Sequence, residues 1–124
     1  MAYADADFFL ALFKPEDWLK GNAKDAYARN RGSLWTSGST ALELLLVSKA
    51  FNLDPIDVMV ALFATAEVKD MEKDVAIAAA HYIRDHNLTT FDAFHAAYCG
   101  KDKMLSSDAA FDKLGFDRIK LEKS

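Results

Sequence analysis

The sequence predicts an α/β fold built on a parallel sheet, and three observations carry this prediction. Short strand-like segments alternate along the chain with amphipathic helical segments, which is the pattern of βαβ units. The 124 residues are 52% hydrophobic, enough to bury the core of one domain of ordinary size. No repeat, low-complexity tract or Pro/Gly/Ser-rich linker divides the chain, so we expect a single domain over residues 1–124.

The predicted elements cover most of the chain. The short apolar runs typical of strands lie at residues 2–5, 33–36, 67–68, 103–106 and 116–121. The helical or mixed apolar segments lie at residues 8–13, 15–31, 40–51, 55–64, 70–86, 90–99 and 108–114. Pro15 and Pro55 stand where helices begin, and Gly32 and Gly100 stand where helices end.

Charge and cysteine content limit the function classes. The net charge is −4, so a nucleic-acid role would depend on a local site rather than on overall charge. Cys99 is the single cysteine, which indicates a reducing compartment, and we expect it to be a small buried apolar residue beside His95 rather than a catalytic thiol. No signal peptide or membrane-spanning run is predicted, so we expect a cytoplasmic protein.

Acidic residues occur where three of the predicted strands end. Asp5 follows the first strand, Asp108 follows the strand at 103–106, and Glu43 lies in the first turns of the helix after the second strand. Because ligands bind outside the carboxyl ends of parallel strands, these three side chains should share one edge of the sheet. Asp92 begins the helix before residue 103 and would reach that edge only by packing. Hard cations such as Mg²⁺ and Mn²⁺ prefer oxygen ligands, so the group predicts a divalent metal site.

Each acid also has a structural interpretation. Glu43 and Asp92 both stand at the last position of a Thr-x-x-acid capping box. Asp108 could cap its own helix, and Asp5 could be a turn residue. An acid at the end of an apolar strand is costly to bury without a partner, which favours a functional role for Asp5. Capping explains each acid alone but does not explain three of them at one edge.

Four short motifs occur in order along nearly the whole chain. They are ADADFFLAL at residues 4–12, TSGSTALEL at 36–44, LTTFDAFHAA at 88–97 and LSSDAAF at 105–111. Each contains one of the four acids described above. Together they resemble the motifs of PIN-domain ribonucleases, particularly the VapC-type toxins of toxin–antitoxin pairs.

The resemblance implies a three-layer α/β/α sandwich with a mostly parallel sheet of about five short strands. It also implies a metal-dependent endoribonuclease in which Mg²⁺ or Mn²⁺ is bound by the catalytic acids Asp5, Glu43, Asp92 and Asp108.

The resemblance further implies supporting residues around the acids. Ser106 occupies the position of the family's usual Thr and would brace the site by hydrogen bonding, as Ser37 could. Asp7 stands where the family commonly has Asn or Ser, and it could extend the metal site or, our slight preference, cap the first helix. Asp112 lies one turn after Asp108 and could join the site, although a solvated surface acid is the simpler interpretation.

The implied partners are an RNA substrate, a cognate antitoxin and a second copy of the chain in a homodimer. An early apolar group could supply an interface but is expected in the core: Phe8, Phe9, Leu12, Phe13 and Trp18. Basic residues that could guide RNA, or simply form a solvated face, are Lys14, Lys20, Lys24, Arg29, Arg31, Lys101 and Lys103. Two other functions stay open. One is a catalytically inactive PIN-fold binding or assembly module in RNA handling, and the other is a structure-specific DNA nuclease, which the small size of the chain disfavours.

Overall fold

The computed structural model describes residues 1–48, 50–70 and 72–122. The strands in this part of the chain are β1 (Ala2–Ala4), β2 (Leu34–Ser37), β3 (Glu67–Lys69), β4 (Lys103–Ser106) and β5 (Arg118–Lys120). The helices are α1 (Ala6–Phe13), α2 (Lys20–Asn30), α3 (Gly38–Ser48), α4 (Pro55–Thr65), α5 (Lys73–His86), α6 (Thr90–Cys99) and α7 (Ala110–Lys113). The predicted α/β class is confirmed.

The strands form one five-stranded sheet in the order β3-β2-β1-β4-β5, and every pair of neighbours is parallel. Tyr3 in the central strand stands opposite Trp35 of β2 and Met104 of β4. Because all of the paired strands run in the same direction, their carboxyl ends lie along one edge of the sheet. We call this the carboxyl edge.

Alternation along the strands divides the core into two layers. Ala2, Ala4 and Leu105 pack in one cluster with residues of α1 to α4, whereas Tyr3 and Met104 pack in a second cluster with residues of α5 to α7. Successive strand side chains point to opposite faces, so each face of the sheet is covered by its own helices. The predicted three-layer sandwich is therefore confirmed.

The chain between α1 and α2 differs from the prediction. Helix α2 begins at Lys20 rather than at residue 15, because the Asp17 side chain accepts a hydrogen bond from the amide of Leu19 at 2.8 Å and closes a separate turn. This turn leaves Trp18 78% exposed, so its assignment to the core was wrong. The core assignment of Phe8 and Phe9 is confirmed, since both are fully buried.

Two local signals acted largely as predicted. Helix α6 begins after Thr89, whose hydroxyl accepts from the amide of Asp92 at 3.4 Å, and it ends at Gly100, which has φ of 57°. The predicted capping box at Thr40 was wrong, because α3 already begins at Gly38 and places Thr40 inside the helix.

Among the helices of the described segments, none is long and apolar enough to cross a membrane.

Candidate active site

Asp5 stands at the carboxyl end of β1 and is the N-cap residue of α1. Its Oδ1 accepts from the amide of Phe8 at 3.4 Å, and the residue is only 4% exposed. Burial and the nearby charge of Asp7 raise the pKa of Asp5 to about 7, although His95, Ser106 and Phe8 partly oppose this rise. Asp5 is thus a buried carboxyl group that is easily protonated in the absence of a cation.

Asp7 is the second residue of α1 and does not cap this helix, so our preference for capping was wrong. Asp5 occupies the cap position, and Asp7 follows in the first helical turn. The Asp7 Oδ2 atom accepts from the hydroxyl of Ser107 at 2.8 Å, which links α1 to the loop after β4. Burial raises the pKa of Asp7, and the charges of Glu43 and Asp108 raise it further.

Asp108 follows the neighbouring strand β4 and lies at the same edge. Its amide donates to the hydroxyl of Ser106 at 2.9 Å, and its Oδ1 accepts from the amide of Ala110 at 2.8 Å. Ser106 therefore holds the backbone of Asp108, in keeping with the bracing role expected for it. The predicted capping of α7 by Asp108 was wrong, because α7 begins only at Ala110 and its N-cap residue is Ala109.

Glu43 projects from α3 and makes a contact that the sequence did not suggest. Its Oε1 lies 2.8 Å from Nε2 of His95 on α6. The other imidazole nitrogen of His95, Nδ1, lies 2.8 Å from the hydroxyl of Tyr3 on β1.

His95 therefore does not simply pack beside Cys99, whose buried thiol instead donates to the carbonyl of Asp102 at 3.2 Å. The buried, apolar-type role predicted for Cys99 is confirmed.

Asp92 reaches the same region through the packing of α6 against α3 and the central strands. Its pKa is raised by burial and by the charges of Asp108 and Glu43, with Thr89 and His95 acting in the opposite direction. The charges of Asp108 and Glu43 act on Asp92 as they act on Asp7, so we group Asp92 with the other acids. We call Asp5, Asp7, Glu43, Asp92 and Asp108 the acidic cluster.

Hydroxyl groups fill the space beneath the acidic cluster. The Ser37 hydroxyl lies 2.9 Å from the hydroxyl of Tyr3 and 2.7 Å from that of Ser39. Ser37 thus supports Tyr3 rather than an acid directly. The hydroxyl of Thr36 donates to the carbonyl of Ala4 at 2.7 Å, which ties the ends of β1 and β2 together.

The carboxylate of Asp112 makes its contacts outside the acidic cluster. It pairs with Arg118, whose guanidinium lies 2.8 Å from Oδ2 of Asp112 and also contacts Glu122 and the carbonyl of Ser106. Hydrogen bonding to Arg118 lowers the pKa of Asp112. Asp112 is therefore the exposed surface acid we expected, and its carboxylate also stabilises the buried cation of Arg118.

Two of the basic residues suggested as RNA guides have other positions or roles. Lys20 donates to the carbonyls of Leu12 and Lys14, and so fixes the connection between α1 and α2. Lys103 begins its strand and so lies at the opposite edge of the sheet. Lys69, which sequence reasoning missed, ends β3 at the carboxyl edge, with its Nζ 4.3 Å from the centroid of the Trp35 ring.

The acidic cluster fits a divalent cation in its chemistry. Asp7, Glu43 and Asp108 each engage one carboxylate oxygen in hydrogen bonds formed within the described residues, which leaves the second oxygen of each for another ligand. Burial and, to a smaller extent, neighbouring carboxylates raise the pKa values of Asp5, Asp7 and Asp92, so a cation bound among them would stabilise their charged forms. In the described segments, however, no three acidic, His or Cys side chains converge closely enough to hold one ion as they stand.

The described structure is thus a three-layer α/β/α domain with an acidic cluster at the carboxyl edge of a parallel sheet. The PIN domain family model matches residues 2–117. The chain belongs to the PIN domain family. No curated protein sequence gives a significant match.

Solved structures with the same fold include three from bacteria. A toxin–antitoxin complex from Klebsiella pneumoniae aligns with a TM-score of 0.79 and 16% identity over 100% of both chains. The sarcin–ricin loop cleaving toxin VapC20 of Mycobacterium tuberculosis aligns with a TM-score of 0.78 and 21% identity, over 94% of this chain and 96% of that one. DNA-bound VapBC from Salmonella typhimurium aligns with a TM-score of 0.70 and 18% identity, over 97% of each chain.

Proposed function

We propose that this protein is an endoribonuclease that hydrolyses RNA phosphodiester bonds and acts as a VapC-type toxin. The observation that carries the proposal is the acidic cluster, whose members come from all four PIN motifs and include Asp5 and Asp108 after the neighbouring strands β1 and β4. Membership of the PIN domain family and the fold of the VapC20 toxin support it.

Asp5, Glu43, Asp92 and Asp108 are the residues proposed to bind Mg²⁺ or Mn²⁺. A divalent cation bound there would lower the pKa of a water molecule and neutralise charge on the phosphate. The chain's own contribution is to supply oxygen ligands at the carboxyl edge, where Asp5 is buried and Glu43 is partly exposed. Asp5 would bind as the carboxylate, so its proton must leave on binding, and its raised pKa makes that binding dependent on pH.

The remaining polar residues of the edge would hold these ligands in place. Ser106 fixes the backbone of Asp108, and Ser107 fixes Asp7. Lys69 is the basic side chain we propose for a contact with the RNA backbone, because it ends β3 at the carboxyl edge and its ammonium group is held over the ring of Trp35.

A protein partner is the second part of the proposal. Helices α3 and α4 pack against each other and leave large apolar side chains 57–73% exposed, namely Leu42, Leu46, Ile56, Val60 and Phe63. We call these residues the α3/α4 surface. Exposed apolar groups of this kind mark protein interfaces, and we propose that an antitoxin or a second copy of the chain covers this one.

The proposed activity is tested by incubating the purified chain with a generic single-stranded RNA while Mg²⁺ or Mn²⁺ is titrated. We expect cleavage that depends on the cation and stops when EDTA is added. A single-stranded DNA of the same sequence and a DNA flap substrate serve as comparisons. Cleavage of the flap alone would favour the DNA nuclease, and cation binding without cleavage of any substrate would favour the inactive binding module.

A further inference from the structure

A chain of buried hydrogen bonds connects the interior of the protein with Glu43. It runs from Ser37 to the hydroxyl of Tyr3 over 2.9 Å, from Tyr3 to Nδ1 of His95 over 2.8 Å, and from Nε2 of His95 to Oε1 of Glu43 over 2.8 Å. Tyr3 is fully buried and His95 is 1% exposed, whereas the side chain of Glu43 is 26% exposed. The chain therefore begins in the core and ends at the accessible acidic cluster.

The chemistry of the two groups determines which atom donates in the hydrogen bond between His95 and Glu43. An ionised carboxylate can only accept hydrogen bonds, so Nε2 of His95 must carry the proton that points to Glu43. The other nitrogen, Nδ1, accepts from the hydroxyl of Tyr3 in the neutral imidazole and donates to it in the imidazolium. In both forms Nε2 donates to Glu43.

The three side chains come from three different elements. Tyr3 belongs to the central strand β1, His95 to α6 and Glu43 to α3. A glutamate has several rotatable bonds, and a partly exposed one would otherwise sample many rotamers. Since His95 is enclosed by the core, it offers Glu43 a rigid donor, and it occupies Oε1 while Oε2 stays without a hydrogen bond from the described residues.

We propose that His95, supported by Tyr3, is a positioning residue that orients Glu43 so that Oε2 is available to a divalent cation. This inference rests on the proposed function, because it assumes that Glu43 is a ligand. Removal of a group that orients a metal ligand typically lowers the affinity of the protein for the metal.

Two substitutions at His95 separate positioning from simple packing. The amide nitrogen of Gln can take the place of Nε2, whereas that of Asn can take the place of Nδ1. His95→Gln therefore retains a donor toward Glu43, and His95→Asn retains only the group near Tyr3. Tyr3→Phe removes a single oxygen atom and tests the support of His95, while Glu43→Gln shows the effect of losing the ligand itself.

The measurement is the Mn²⁺ dissociation constant, determined by isothermal titration calorimetry at one pH for the wild type and each variant. Thermal unfolding without metal identifies any variant that fails to fold. We expect His95→Asn to weaken Mn²⁺ binding by about 10- to 100-fold, His95→Gln to bind nearly as the wild type does, and Tyr3→Phe to fall between them. We also expect ¹⁵N NMR of the unmodified protein to show a proton on Nε2 of His95.

Two results would overturn the positioning role while leaving the nuclease proposal intact: wild-type Mn²⁺ affinity in folded His95→Asn, or equal losses in His95→Asn and His95→Gln. A wild-type protein with Nε2 of His95 unprotonated would also overturn it, and that measurement needs no variant. If the wild type itself binds no Mn²⁺, the proposed function fails and the positioning role fails with it.

Discussion

The imidazole of His95 on α6 and the carboxylate of Glu43 on α3 lie 2.8 Å apart, although 52 positions separate them in the sequence. Helix α3 belongs to one helical layer and α6 to the other, so this contact joins the two layers beyond the carboxyl edge of the sheet. The strands are only three or four residues long, which allows side chains from both layers to meet there. The acidic cluster lies at this meeting point.

Asp5→Asn should remove cleavage of RNA and leave the fold intact. Asparagine is as good an N-cap as aspartate, so α1 should keep its first turn, whereas the ligand charge is lost. Since loss of even an outer-shell partner costs 10–100-fold, we expect a loss of at least about 100-fold in kcat/KM. Asp25→Asn on the exposed face of α2 is the matched control and should cleave as the wild type does. Equal activity in both variants would exclude Asp5 from the site.

The stability of the metal-free protein should fall as the pH rises. The pKa of Asp5 is about 7 in the folded protein against an ordinary value of 3.8, so between these values the folded state holds a proton that the unfolded chain has released. Stability therefore decreases through this window, by an amount on the order of 2–4 kcal/mol, and the full penalty is present above pH 7.

Urea denaturation at pH 5 and pH 8 measures this effect. Asp5→Asn should show a smaller decrease between the two values and should be more stable than the wild type at pH 8. Identical pH dependence of stability in the two proteins would show that the pKa of Asp5 is not raised in the folded state.

Arg118 should be a structural residue with no direct part in cleavage. Its side chain is 2% exposed and contacts Asp112, Glu122 and the carbonyl of Ser106. Arg118→Met should cost about 1–3 kcal/mol in the free energy of unfolding, since it leaves two partly exposed acids without their cation. Asp112→Asn should lower the free energy of unfolding by less than Arg118→Met does. Each folded molecule of this variant should cleave RNA as fast as the wild type. Loss of cleavage in well-folded Asp112→Asn would instead place Asp112 in the site.

The α3/α4 surface should control association between copies of the chain. Val60 is 67% exposed, so Val60→Lys should leave the stability of the fold almost unchanged while placing a charge in the apolar surface. Light scattering over a range of concentrations should show a dimer for the wild type and a monomer for the variant. Ile77→Lys on α5, at a residue that is 49% exposed, is the control and should remain a dimer. A monomeric wild type would refute the homodimer.

Local sequence signals predicted much of the fold. Thr89 and Gly100 correctly predicted the two ends of α6, and the apolar run before Ser106 correctly predicted β4. The segment around Trp18 was assigned wrongly because the apolar spacing of residues 15–31 continues across a turn that Asp17 closes. Periodicity alone does not register a side chain that closes a separate turn and so delays the start of a helix.

The candidate site could be predicted only in part, for a physical reason. Asp5 and Asp108 follow strands directly, so the rule for parallel sheets places them at one edge. His95 was missed because both of its partners, Tyr3 and Glu43, are distant in sequence, and its neighbours on α6 give no sign of them. Lys69 was missed because β3 is short and half exposed, which makes its end hard to recognise.

The most direct test of the proposed metal site is anomalous X-ray scattering from crystals of the protein grown with Mn²⁺. We expect an anomalous peak within bonding distance of carboxylate oxygens from Asp5 and at least one of Glu43, Asp92 and Asp108, and we expect the peak to vanish in crystals of Asp5→Asn. The absence of a peak at the carboxyl edge at saturating Mn²⁺, or a peak bound only by residues outside the acidic cluster, would contradict the proposed site.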